Sequence, residues 1–410
     1  MFACTPGSLK LDDDAETLTE EGSDGTDSVT TGGTGGPGTT GEPAPEGVLE
    51  WDELLDDTTA YAMAVGPDGT IVVIGEKGFT PQGDGGIYAS RWMGKFSPGG
   101  EQVWLHETVN SEESYAVPQS LSVGPGGEIF VGVVDYSALG GVGNAVVRHA
   151  PDGEEVWSVV VPTRVYTVRA TPEGGVIAGG TAPLDESNSV GWARALDADG
   201  ATLWDNNYPG ADGGYAQVRS IAVVGDDIVL AGNTSVPPDG VAAAWLHRAA
   251  RASGAVVWDQ TVSAATATDW VEHVAATADG TIVALVVAGG LRTVRAYGPA
   301  GAELWSFTPE LVEEAAALAV ASDGSFTVTD GKYIPFDEPG FCQDGFSPCP
   351  VSMRVERRAS DRSLLWEVAS ETCQAGLLAE AMPGDGVVVF AHCSTEPGGD
   401  LRGGLLRYAP

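Results

Sequence analysis

Ala195-Leu196-Asp197-Ala198-Asp199-Gly200-Ala201-Thr202-Leu203-Trp204 reads as the end of one strand, a tight turn and the start of a second strand that carries tryptophan. The Asp-x-Asp-Gly core is turn chemistry, because Asp accepts hydrogen bonds from its own backbone and Gly tolerates the left-handed conformation. The same arrangement recurs outward along the chain. Trp104 follows Glu101-Gln102-Val103, Trp157 follows Glu154-Glu155-Val156, and Trp258 follows Ala255-Val256-Val257. Trp305 follows Ala302-Glu303-Leu304, and Trp366 follows Ser363-Leu364-Leu365. From Trp104 to Trp366 the six tryptophans are spaced by 53, 47, 54, 47 and 61 residues. A self-similar period of this size marks one four-stranded unit of a repeat architecture.

Each unit has one internal order. An apolar run leads to a Gly-rich turn and a second apolar run, as in residues 60–65, Gly66-Pro67-Asp68-Gly69 and residues 70–75. Such turns between apolar runs are strong hairpin signals. A loop of variable length follows, then a more polar third strand, a turn, and the Trp strand. The final unit breaks the pattern. Residues 377–382, 387–392 and 404–408 supply three strands, and the chain stops at Pro410. The missing Trp strand is found at the other end, in Val48-Leu49-Glu50-Trp51-Asp52. The expected fold is therefore all-β: a seven-bladed β-propeller of four-stranded antiparallel blades, closed by the N-terminal strand completing the last blade. Such closure removes free sheet edges. Residues 47–410 then give 52 residues per blade.

Composition agrees. Gly and Pro, 57 and 25 residues, make up a fifth of the chain, as many short strands and tight turns require. With 58 acidic and 20 basic residues the formal charge is −38, a field that repels nucleic acid and anionic lipid. The N-terminus divides off. Met1-Phe2-Ala3-Cys4 resembles the end of a lipobox, making Cys4 the expected lipidation site, and residues 1–4 are read as the remnant of a lipoprotein signal. Residues 5–46 have no aromatic residue and include Asp12-Asp13-Asp14 and a Thr/Gly run at 31–38. They are expected to form a disordered acidic tether.

The Trp strands resemble the quinoprotein-like (PQQ-like) repeat, with Ala195 to Trp204 the nearest match and Ala252 to Trp258 and Ala300 to Trp305 partial ones. The resemblance spans most of residues 47–410 and implies propeller blades rather than any one activity. Some members of that family are quinone-dependent dehydrogenases, and others are non-catalytic, including a lipoprotein that assists assembly of outer-membrane barrels. The dehydrogenases carry eight blades and often an adjacent Cys-Cys pair; seven blades are counted here, and no two cysteines are adjacent. No cofactor is expected. Nor is any catalytic residue, for no Gly-x-Ser-x-Gly elbow or phosphate loop occurs. His106, His149, His247, His273 and His392 are far apart, so no metal is expected. Asp197 and Asp199 look superficially like a calcium loop, but turn chemistry explains them better.

Cys342, Cys349, Cys373 and Cys393 form an even set in a chain with a hint of export at Ala3-Cys4, and two disulfides are expected. Three pairings are open. The favoured one joins Cys373 to Cys393 across the last hairpin and Cys342 to Cys349 around a small loop; reduced thiols are the alternative. That small loop belongs to an insertion at residues 330–351, the largest departure from the repeat, which carries Tyr333, Ile334, Phe336, Phe341 and Phe346. It reads either as a partner-binding element or as a plug over the channel mouth. The Arg354, Arg357, Arg358 and Arg362 cluster beyond it is expected to pair with local carboxylates. The functional expectation is a monomeric, exported, lipid-anchored binding or scaffold module at the cell envelope, with a protein partner. The alternative is a propeller enzyme, an oxidoreductase or hydrolase, with its site at the channel mouth.

Overall fold

The computed structural model describes residues 47–410 outside the segments 56–57, 82–86, 110–115, 136–142, 162, 184–188, 211–213, 237–240, 264–268, 310–316, 334–349, 371–372 and 394–401. The described chain forms seven four-stranded antiparallel sheets, the blades of a β-propeller. The first blade runs β2 (Thr58–Val65), β3 (Ile71–Pro81), β4 (Ile87–Phe96) and β5 (Gln102–Val109), in that order from the central channel to the rim. The seventh has the order β1-β28-β27-β26, from β1 (Leu49–Leu55), β28 (Arg402–Tyr408), β27 (Val387–Cys393) and β26 (Cys373–Ala381). The N-terminal strand closes the ring, with Trp51 opposite Arg407 and Ala409 N donating to Val48 O at 2.9 Å.

Burial follows from the wedge geometry. A blade presses both faces against its neighbours, so its second strand must be apolar on both sides. β19 (Ile282–Ala288), reading Ile-Val-Ala-Leu-Val-Val-Ala, is buried along all but its last residue. The core divides into seven apolar clusters, one at each of the seven interfaces between adjacent blades. At the seam, Val388, Phe390 and Leu405 of the last blade pack on Ile71, Val73, Trp92 and Phe96 of the first.

The repeated tryptophans tie each rim strand to the next blade. The indole Nε1 of Trp51 donates to Pro98 O (3.1 Å), Trp104 to Pro151 O (3.2 Å), Trp157 to Ala198 O (2.9 Å), Trp204 to Arg251 O (2.8 Å) and Trp258 to Pro299 O (3.0 Å). Every acceptor is the second residue of the turn before the neighbour's rim strand. Trp305 stacks on Phe326 at 5.6 Å. Trp366 makes no such bond either: its buried Nε1 has no partner among the described residues. Its neighbour is the seam blade, where Ala409 and Val48 pair in place of that turn.

Inner strands run longer than the apolar pattern indicates. β6 (Ala116–Val123) starts at Ala116 rather than Ser120 and passes through Pro118. One edge of an inner strand faces the channel, so a proline there removes no ladder bond. Cys373 and Cys393 face each other in register on β26 and β27 and are joined as a disulfide. Cys4, Cys342 and Cys349 lie outside the described residues.

Candidate functional site

The site begins with a backbone irregularity. Five of the inner strands carry a register shift that leaves one residue unpaired: Tyr61 on β2, Gln119 on β6, Tyr166 on β10 (Arg164–Ala170), Arg219 on β14 (Ala216–Val224) and Glu272 on β18 (Trp270–Ala276). On β26 two shifts flank Gly376, and Leu377 is unpaired. A β-bulge bends the strand and re-aims the extra side chain. All six of these residues line one cavity of about 310 Å³ in the central channel.

The first four blades have glycine on the second strand beside the bulge, and in three of them the reason is a close approach of backbone. A Cβ on Gly75, Gly180 or Gly232 would fall 1.8 Å from Thr59 O, 1.8 Å from Arg164 O or 1.9 Å from Gln217 O. An isolated glycine within a strand is a sequence signal for such a bulge. It is the one signal that would have located the channel ring before the structure was known.

Below the bulge the blades can be compared position by position. Residues registered with Met63 are all apolar: Leu121, Val168, Ile221, Val274, Leu318 and Ala379. The position registered with Ala64 is small in five blades, namely Ala64, Ser122, Ala222, Ala275 and Ala319. In the third and seventh blades it is Arg169 and Glu380. The position registered with Ala62 holds His273 in the fifth blade. Arg169, His273 and Glu380 therefore line the same cavity from blades three, five and seven.

Their electrostatics are displaced. Burial pushes the Glu380 carboxyl up to about 7, against the opposing pull of Arg169. Burial pushes the His273 imidazole down to about 4, and the Arg169 charge acts in the same direction. Burial also raises Glu272, although Arg292 sits 3.2 Å away. At neutral pH the cavity thus holds a neutral imidazole and a carboxyl close to its midpoint. Displaced titration inside a cleft is a recognised mark of a functional site.

The other residues singled out from sequence fall elsewhere. Tyr333 ends β23 (Phe326–Tyr333), and the insertion leaves the sixth blade from the same end of the propeller as the first residues of the inner strands. Ile334, Phe336, Phe341 and Phe346 lie outside the described residues. The seven once-per-blade tryptophans occupy the rim strands and do not line the channel cavity. His106, His149, His247 and His392 sit in separate blades and do not converge with His273. Among the described residues no three His, Cys, Asp or Glu side chains group as a metal site. Asp197 Oδ1 accepts from Asp199 N (2.9 Å) and Ala201 N (2.8 Å), the hydrogen bonding of a turn. Of the arginine cluster, Arg354 pairs with Glu367 (2.8 Å) and Arg358 with Glu356, while buried Arg357 donates to Ser325 Oγ (3.0 Å).

No protein-family model and no curated protein matches the sequence. Solved structures do match. A streptogramin B lyase is 12% identical with a TM-score of 0.55, over 87% of this chain and 97% of that one. The quinohemoprotein alcohol dehydrogenase of Comamonas testosteroni is 13% identical with a TM-score of 0.53, over 88% of this chain and 76% of that one. At such identities the likeness is one of fold alone: the chain shares the propeller architecture of these proteins.

Proposed function

We propose that this chain is an exported binding propeller that takes up a small polar ligand in its central channel while held at the cell envelope by a lipid on Cys4. The observation that carries the reading is the ring of bulge residues, whose side chains line one cavity. Tyr61, Gln119, Tyr166, Arg219 and Glu272 occupy equivalent backbone positions yet differ in chemistry, as a recognition surface requires. At about 310 Å³ the cavity suits a small molecule or a single projecting side chain. The anchor is supported by Ala3-Cys4 and the acidic segment after it. The insertion at 330–351, with Tyr333, Ile334, Phe336, Phe341 and Phe346, is supported as the protein-partner element by its aromatic content and by leaving from the face that the bulge ring adjoins. In this reading no catalytic step is assigned.

A second reading is favoured by one observation: neutral His273 and half-ionised Glu380 share the cavity, as a general base and general acid would. The two readings part on turnover.

The test uses the full-length protein and a thermal-shift panel of small polar compounds. A compound that stabilises the wild type is expected to lose its effect in Tyr61→Ala/Tyr166→Ala and to keep it when residues 334–349 are deleted. Stabilisation that survives the channel substitutions would refute the channel as the site. Consumption of the bound compound would select the enzymatic reading. Mass spectrometry of the native N-terminus tests the anchor: an unacylated Cys4 removes it.

A further inference from the structure

Arg169 stands apart from the other charged groups of the channel. Tyr61 is hydrogen-bonded to Glu76. Glu272 is engaged by Arg292, and Arg219 Nε donates to Gln217 Oε1 at 2.9 Å while its guanidinium lies 5.5 Å from the Trp270 ring. No hydrogen bond, ion pair or ring contact holds the Arg169 guanidinium among the described residues. Elsewhere in this acidic chain arginines are taken up by carboxylates: Arg194 by Asp205, Arg248 by Asp227, Arg407 by Glu50. A partly buried arginine whose charge reaches Glu380 only at a distance, with no direct ion pair, calls for a reason in a chain with 58 acidic and 20 basic residues.

The space beside it is built to match. Ala64, Ser122, Ala222, Ala275 and Ala319 keep the Arg169 register position small in the five blades other than those of Arg169 and Glu380. Glu380 shares the cavity but approaches no arginine within ion-pair distance, and neutral His273 contributes no positive charge to compete. Resting on the reading of the channel as a ligand site, we propose that Arg169 anchors the oxyanion group of the channel ligand, a carboxylate or a phosphate. Its planar fork of N–H donors matches two oxygens of either group. The overall charge of −38 does not forbid this, because the Debye length at physiological ionic strength is about 8 Å and distant surface carboxylates are screened.

The test follows the His273 ring protons by NMR in the full-length protein, with His273→Gln for assignment. Acetate and inorganic phosphate are titrated in separate arms, with ionic strength held constant by chloride. A saturable shift of the His273 signals is expected with at least one of them, and the arm that saturates tells carboxylate from phosphate. The apparent affinity should fall at least tenfold in Arg169→Gln, less in Arg169→Lys, which keeps the charge but loses the fork, and not at all in Arg194→Gln. Unchanged urea midpoints establish that the variants are folded. A saturable response that persists in Arg169→Gln overturns the assignment. If glycerol shifts His273 saturably while neither anion does, the channel binds ligands but Arg169 is not an oxyanion anchor. If none of the three probes moves His273, the channel reading falls with it.

Discussion

Replacing Glu380 by glutamine is expected to stabilise the protein, but only at high pH. Glu380 lines the channel, where burial raises its carboxyl from the ordinary 4.5 to about 7. Between those values the folded protein holds a proton that the unfolded chain releases. Native stability from this group is therefore complete below about pH 4.5 and is lost as pH rises through 7. A gap of about two and a half pH units, at roughly 1.36 kcal/mol each, corresponds to about 3 kcal/mol. The side chain is only partly buried, so solvent screening reduces this to about 1–3 kcal/mol. Glutamine has nearly the same shape and cannot ionise. The two proteins should match near pH 4.5, and Glu380→Gln should be more stable by about 1–3 kcal/mol at pH 8.5. Urea unfolding midpoints across pH 4.5–9 measure the difference, in which every other titrating group, His273 included, largely cancels. A difference independent of pH would refute the reasoning. A wild type more stable at pH 8.5 would mean that ionised Glu380 gains more from Arg169 than it loses by burial.

Three further predictions concern the scaffold. Trp204→Phe leaves Arg251 O without its donor, whereas Trp366→Phe removes a donor that already lacks an acceptor among the described residues; chemical denaturation should find the first variant less stable by about 1–3 kcal/mol more than the second. Opening the Cys373–Cys393 link by double substitution with serine frees a loop with a sequence separation of 20 and should cost about 3 kcal/mol, read as a lower urea midpoint under non-reducing conditions. Gly75→Ala drives a methyl group to 1.8 Å from Thr59 O, so the bulge must open; a loss of about 3 kcal/mol is expected in the denaturant midpoint, with a changed Tyr61 environment by NMR.

The fold was legible because its determinants repeat. A tryptophan strand after a tight turn appears at near-constant spacing, and counting the units exposes the strand lent by the N-terminus. Strand ends were less legible. β3 continues to Pro81 although its apolar run ends at Gly75, because its backbone pairing with β4 runs on past the apolar run. The insertion at 330–351 stood out in sequence for its aromatic residues, but composition says what a loop can contact and not where its atoms lie.

The channel was illegible for a related reason. Tyr61, Gln119, Tyr166, Arg219 and Glu272 share a backbone position and no side-chain character, so alignment by residue type cannot find them. Each also sits where the alternation of strand residues slips by one, which makes it look like an ordinary solvent-facing residue. Positions that are alike in all blades, such as the rim tryptophans and the apolar row at Met63, answer a demand that every blade makes equally, namely packing on its neighbour. A ligand in the channel makes no such equal demand, since it presents different atoms to different blades. Recognition should therefore be sought where the backbone is repeated and the side chain is not. By that criterion Arg169 and Glu380, set among five small residues in one register, are the most informative pair in the molecule.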